Sequence, residues 1–413
     1  MAKYNYDKTA LRSLSVGPFL SEVKVREAEI AKADDSLPNP TYNANILASK
    51  LHPHFQCVKI ASVIEHKGAK TFVMEPDASR GTTELAYFRA GQYISVALDI
   101  NGSKVNKPYT LSSNPKDALG SVGNKYTITV KETPNGFAAD YILANWTVGT
   151  QLTVSAPLGD FYYVGLRDAK NVIALAGGSG ITPFLSMANA IADGIEDFNL
   201  TILYGSRAAD SILLCDELND AAARSGGKIK IVNVLSDDEG NTDPAFEHGF
   251  ISADIIKKYA PADDFSIFVC GPKAMYNFLK GELVTLNLPK RRIRFELSGE
   301  YGSPVNDAAF PKDQIGREYS VKVLVRGETY DVKCKSEETL LNSLAAAGIR
   351  VPSDCRSGEC GWCHSRLIKG DVYIPESADG RRMADKKFGW IHPCVSYPLS
   401  DIEIEVFPML SKE

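Results

Sequence analysis

The 413-residue chain has no uninterrupted apolar run of the roughly 18–20 residues that a membrane-spanning helix needs. It also lacks a basic excess. Lys and Arg number 46 against 51 Asp and Glu, a net charge of −5, so the basic stripe of a nucleic-acid binder is not expected. The opening residues, MAKYNYDKTALRSLSVG, hold no apolar h-region of the kind a secretory signal carries. Cysteine is sparse: eight in this length are too few for a disulfide scaffold. There is no internal repeat and no low-complexity tract. These absences predict a cytoplasmic protein without an integral membrane segment, and the length predicts about three domains.

Half of the few cysteines are concentrated in one pattern. Cys355, Cys360 and Cys363 read C-x4-C-x2-C, and Cys394 follows some thirty residues on. This is the plant-type spacing for four thiolates around a [2Fe–2S] cluster. Gly358 and Gly361 let the DCRSGECGWC backbone curl round a cluster and aim amide N–H groups at sulfur. A zinc knuckle built with His364 and His392 is the competing reading. Zinc sites favour two short ligand pairs, and only one C-x2-C pair exists here. Cys57, Cys215, Cys270 and Cys334 are scattered and read as free thiols.

Periodicity divides the rest. Residues 1–54 carry a weak helical period at Leu11, Leu14, Phe19, Leu20 and Val23, and read as a peripheral arm. From 55 to 163, short alternating runs such as TFVMEP and KYTITVKET predict a small antiparallel barrel or sandwich. From 164 to 300, strands alternate with helices, which predicts a parallel sheet covered on both faces. Pro183 and Pro272 suit helix starts, and Asp210 is expected to cap SILLCDELNDAAARSG. Residues 301–318 read as a linker. In 319–408, YSVKVLVR and ETYDVKC form an expected hairpin, Ser336 is expected to cap a helix, and IEIEVFP closes the domain.

Three further strings suggest cofactor chemistry. AGGSGITP, Ala176–Pro183, is a glycine-rich turn between strand and helix, suited to close approach of a pyrophosphate. VCGP, Val269–Pro272, ends a later strand at the edge where open α/β sheets bind ligands. KPYTLSS, Lys107–Ser113, sets a cation, a ring and a hydroxyl along a strand.

With YGSR at Tyr204–Arg207, these motifs occur in one order, and the chain resembles the ferredoxin–NADP reductase-like flavoproteins with a plant-type ferredoxin domain fused at the C-terminus. The resemblance covers roughly 55–408. It implies a flavin-binding β-barrel, a Rossmann-like NAD(P)-binding domain and a β-grasp ferredoxin domain. It also implies an enzyme passing electrons from NADH or NADPH through FAD, or FMN, and a [2Fe–2S] cluster to a separate acceptor protein. The acceptor it implies is an oxygenase or reductase component; the alternatives are an electron-input subunit of an anaerobic or multi-subunit reductase system, and a redox-sensing Fe–S flavoprotein. By position, Lys107, Pro108, Tyr109, Thr110 and Gly136 would hold the flavin, with Thr110 facing N5. Gly177, Gly178, Ser179, Gly180, Thr182 and Pro183 would line the nicotinamide–pyrophosphate track, and Ser206 and Arg207 the adenosine ribose. Cys270, Gly271 and Pro272 would border the nicotinamide. Lys107 stands where the family has Arg, and Ala139 where it commonly has Ser or Thr. Arg381, Arg382, Lys386 and Lys387, ahead of Cys394, are candidate contacts for an acidic acceptor surface.

Overall fold

The computed structural model describes residues 16–32, 42–133, 137–238, 243–296 and 303–407. The chain divides into two compact units, Met1–Ser49 and Lys50–Glu413. Helix α1 spans Val16–Lys32 and helix α2 spans Asn43–Leu51; α2 buries none of its side chains. Leu11 and Leu14 lie outside the described residues. Among the described residues no helix is long and apolar enough to cross a membrane.

The second unit begins with six antiparallel strands: β1 Phe55–His66, β2 Ala69–Pro76, β3 Tyr93–Ile100, β4 Ser103–Thr110, β5 Tyr126–Lys131 and β6 Gln151–Ser155. They run in the order β4-β3-β6-β1-β2-β5. The outer strands β4 and β5 meet through a bridge between Leu111 and Ile128, which brings the two edges of the sheet together as a barrel. Alternating side chains fill its interior, among them Val58, Ile60, Phe72, Met74, Ile94, Val96 and Ile128. Helix α3, Phe137–Asn145, adds Ala138 and Ile142 to the same core.

A parallel sheet follows: β7 Asn171–Gly177, β8 Asn199–Ser206, β9 Ile229–Leu235, β10 Phe246–His248, β11 Phe265–Cys270 and β12 Ile293–Phe295. Its order is β10-β9-β8-β7-β11-β12. Along β7, Val172, Ala174 and Ala176 enter one core while Ile173 and Leu175 enter another. Burial on both faces explains the continuous apolar run NVIALAG. The faces are covered by α4 Thr182–Ala192, α5 Cys215–Arg224, α6 Ala253–Tyr259 and α7 Lys273–Val284. Pro183 sits in the first turn of α4 and Pro272 caps α7, as expected. Asp210 does not cap α5. It lies in a short 3-10 turn, Ala209–Ser211, and the helix begins five residues later behind Leu214, whose φ of 58° breaks the chain direction.

The last region carries β13 Glu318–Val325, β14 Glu328–Lys335, helix α8 Leu340–Ala346, β15 Ser365–Lys369, β16 Val372–Tyr373, helix α9 Met383–Lys387, β17 Trp390–Ile391, β18 Tyr397–Pro398 and β19 Ile402–Val406. β13 and β14 form the expected hairpin, and β13 runs parallel to β19. Ser336 is not the cap of α8. Its hydroxyl donates to the Gln314 carbonyl, and Thr339 caps the helix through the Asn342 amide. Glu337 instead accepts from the Gly316 amide at 2.6 Å. Ahead of β13, Phe310 is buried, its ring edge-on to Tyr373.

Helix α8 seats this region on the barrel: Ala345 belongs to the barrel core, 4% exposed. Ala345→Glu would force a carboxylate into that contact, where an unpaired charge costs several kcal/mol. The expected result is faster proteolytic cleavage of the 303–317 connection than in the parent protein. Unchanged cleavage would contradict the packing role.

Candidate functional site

One cavity of about 630 Å³ gathers most of the motif residues. Lys107, Pro108, Tyr109 and Thr110 line it from β4, and Gly177, Gly178, Ser179, Gly180 and Thr182 from the turn after β7. Cys270, Gly271 and Pro272 enter from the end of β11, and Arg356 from the cysteine loop. This is the size range of small-molecule and cofactor sites. Its position follows from topology. The chain leaves β7 toward β8 on one side while β11 pairs on the other, so the crevice beyond these strand ends is a switch point.

Gly180 makes the convergence possible. A Cβ there would stand 2.2 Å from the Cys270 carbonyl oxygen, so no side chain fits between the two turns. The Tyr204 hydroxyl donates to the Gly178 carbonyl at 3.1 Å and fixes the glycine turn from β8. Cys270 is 7% exposed, and burial raises its thiol well above the ordinary range, with the nearby Glu296 carboxyl adding to the rise. It is a thiol that packs, without nucleophilic character.

Other expected residues lie elsewhere. Pro183 is buried in the first turn of α4. Ser206 ends β8, and Arg207 beyond it is largely exposed, its Nε 3.8 Å from Asp237. Gly136 lies outside the described residues. Of the four basic residues ahead of Cys394, two are already engaged. Arg381 forks onto Asp379 at 2.8 and 2.9 Å, and Lys386 reaches the same carboxylate at 2.9 Å. Arg382 and Lys387 are exposed.

The cysteine loop draws its sulfurs together. Cys363 and Cys394 stand 3.4 Å apart, and the amides of Ser357 and Cys360 each donate to the Cys355 sulfur at 3.4 Å. The Cys360 thiol, aimed at the same sulfur, is the largest of the influences that hold Cys355 down to about 4. Cys355, Cys363 and Cys394 are buried and Cys360 is exposed. A Cβ on Gly358 would stand 2.1 Å from the Ala378 carbonyl, and its φ of 89° suits only glycine. Three buried thiols and one exposed, with N–H donors aimed at the Cys355 sulfur, fit an iron–sulfur cluster near the surface.

Four residues escaped sequence reading. Arg356 is 2% exposed at a φ of 57°, donating to the Asn106 carbonyl of β4 at 3.2 Å and to Asn342 Oδ1 of α8. Lys131 lines the cavity with its ammonium 3.4 Å from an ideal Gly178 Cβ, a second cation beside Lys107. Glu296, just after β12, is 5% exposed. Burial first, then the charges of Asp160, Glu359 and Cys355, push its carboxyl up to about 8. Asp237 is the fourth. Arg356 sits within the cysteine motif but its reach to β4 and α8 is set by folding, and only folding brings Lys131, Glu296 and Asp237 to the motifs, so no local signal marks these contacts.

Comparison with known proteins agrees with this geometry. Models of an oxidoreductase FAD-binding domain, an oxidoreductase NAD-binding domain and a 2Fe-2S iron-sulfur cluster binding domain match residues 62–163, 174–281 and 323–399. The ferredoxin reductase component of 3-ketosteroid-9-alpha-monooxygenase from Mycobacterium tuberculosis is 31% identical over 76% of this chain and 84% of its own length. The chain belongs to the ferredoxin–NADP reductase-like flavoproteins with a C-terminal [2Fe–2S] domain. The glycine betaine monooxygenase reductase subunit of Chromohalobacter salexigens is 27% identical over 85% of this chain and 94% of its own. The solved structure of phthalate dioxygenase reductase is 26% identical, covers 86% of this chain and 98% of that one, and superposes with a TM-score of 0.59. The chain is thus an NAD(P)H-dependent oxidoreductase that passes electrons through FAD and a [2Fe–2S] cluster to a partner protein.

Cys394→Ala is expected to drop iron from about two atoms per chain toward zero while flavin content holds. Full iron content would exclude Cys394 as a ligand. Because the fold raises the Glu296 carboxyl above its unfolded value, its stabilising contribution is present at low pH and is lost as pH rises toward about 8. Thermal midpoints of the parent protein should therefore fall across that interval, and Glu296→Gln should flatten the fall. Parallel curves for the two proteins would contradict a protonated Glu296.

Proposed function

We propose that this reductase draws electrons from NADH and delivers them to an oxygenase component, with site roles as follows. The observation that carries the reading is the single cavity walled by β4, the two nucleotide turns and Arg356. When bound, NADH supplies a hydride, FAD mediates between two-electron and one-electron transfer, and the cluster carries single electrons.

The chain's own residues position these groups. Lys107 and Lys131 supply positive charge for phosphate, and Tyr109 lies half-buried along the cavity wall. Thr110 and Cys270 border the reacting edge from the barrel and the nucleotide sheet, the hydroxyl as a hydrogen-bond partner and the thiol as a packed surface. Gly177–Thr182 admit the nicotinamide–pyrophosphate to backbone contact. Glu296 holds a proton on its carboxyl within electrostatic reach of both Cys270 and Cys355. Cys355, Cys360, Cys363 and Cys394 hold the cluster, and the exposed Cys360 marks the edge an acceptor reaches, with Arg382 and Lys387 as the exposed cations nearby in sequence. The thiols of Cys57, Cys215, Cys270 and Cys334 stay unpaired, which supports work in a reducing compartment such as the cytoplasm.

The preference for NADH rests on Asp237. No acidic residue is adjacent to Ser206 and Arg207 in sequence, but β9 pairs with β8 and brings Asp237 there. Its amide donates to the Arg207 carbonyl at 2.9 Å. Asp238 accepts from the Ala209 amide at 3.4 Å in the same turn. A free ribose hydroxyl finds an acceptor in Asp237, whereas a 2′-phosphate meets carboxylates and an Arg already paired. Like charges at this range cost on the order of 1 kcal/mol in water and more when partly desolvated. Steady-state kcat/KM should therefore favour NADH over NADPH by roughly tenfold or more, and Asp237→Ser should narrow the ratio. Equal or better use of NADPH by the parent protein would overturn the assignment.

A further inference from the structure

We propose that His364, Asp385 and His392 form a site for one divalent transition-metal ion of the borderline class, of which zinc is the simplest probe, on the outer edge of the cysteine loop. The relatives and the electron relay assign nothing to these three side chains. One ligand atom from each lies within 4.8 Å of the other two. His364 Nε2 and Asp385 Oδ1 are 3.1 Å apart.

Each ligand is already oriented. His392 Nδ1 lies 2.6 Å from the Gly358 carbonyl, which can only accept, so Nδ1 carries the hydrogen and Nε2 keeps its lone pair. That is the arrangement in which a metal-ligating imidazole is held by a carbonyl behind it. Nε2 faces the cysteine loop, 3.9 Å from an ideal Gly361 Cβ. The His364 ring stacks on Trp390 at 4.2 Å and 9°. Asp385 Oδ2 accepts from the Arg382 amide at 3.0 Å, which leaves Oδ1 turned to the histidines.

Two imidazole nitrogens with one carboxylate suit zinc, iron(II), cobalt or nickel, and do not suit magnesium or calcium, which take oxygen ligands. The His364 and Asp385 side chains are 34% and 20% exposed, so water can complete the coordination. His364 follows Cys363, and His392 is two residues before Cys394. An ion here adds positive charge beside the cluster and favours its reduced form. That consequence rests on the four cysteines holding the cluster; the site itself does not. The bland alternative is a His–Asp hydrogen bond that only pins α9 to the loop, and it predicts no metal uptake.

The test is equilibrium dialysis of the holoenzyme against Zn²⁺, with zinc and iron both counted and the cluster's midpoint potential measured. The expected result is about one zinc per chain with iron unchanged, uptake weakened roughly tenfold or more in His364→Gln and in Asp385→Asn, and a potential that moves positive with zinc only in the parent protein. Asn at 385 keeps an oxygen for the Arg382 amide, so that variant remains informative if the His364 variant fails to fold. No uptake, equal uptake in both variants, or uptake at the expense of iron would overturn the proposal. A failure of the cysteine assignment would be seen separately, as an iron-free protein before zinc is added.

Discussion

A buried guanidinium joins the two halves of the electron path. Arg356 follows Cys355, yet its side chain leaves the cysteine loop to bind the Asn106 carbonyl on the strand that carries Lys107, Tyr109 and Thr110. The contact is reciprocal, because the Asn106 side chain donates back to the Ser353 carbonyl at 3.1 Å. A cation that is 2% exposed is tolerated only when its hydrogen bonds are met, so losing either partner leaves a buried charge and costs several kcal/mol. The cysteine loop is therefore held against the barrel by a constraint that resists small displacement. Electron transfer between tethered centres depends on separation more than on diffusion, and this clasp, together with the Ala345 contact, fixes how the cysteine loop sits on the barrel.

The second constraint is steric. The glycine turn after β7 and the end of β11 touch backbone to backbone at Gly180, and the cavity is the space left beyond them. Barrel, nucleotide sheet and cysteine loop thus converge on one volume. Charge is arranged to match: cations at Lys107 and Lys131, and a protonated carboxyl at Glu296 where an ionised one would face Asp160 and Glu359.

Much of this was legible in the sequence because the motifs are local. Cysteine spacing, the glycine turn and the strand-end cysteine each report backbone geometry within a few residues, and strand alternation separated the barrel from the parallel sheet. What stayed hidden depends on pairing across long separations. Asp237 reaches Arg207 only because β9 lies beside β8. Arg356 looks like any loop arginine until α8 seats the last region on the barrel. Two helix starts were misplaced, at Asp210 and Ser336, which are good caps by type, but the local backbone places Leu214 and Thr339 at the caps instead. Arg381 and Lys386 read as candidate contacts for an acidic acceptor, although both share the carboxylate of Asp379, close in sequence.

The most direct test of the central claim, that one cavity couples nucleotide oxidation to the cysteine loop, is anaerobic rapid mixing of the holoenzyme with NADH. Absorbance should be followed at the flavin band and at the cluster band. Flavin bleaching is expected first, then cluster reduction at a rate independent of protein concentration, as an intramolecular step requires. Cluster reduction that scales with protein concentration, or flavin bleaching with no cluster reduction after it, would contradict the claim.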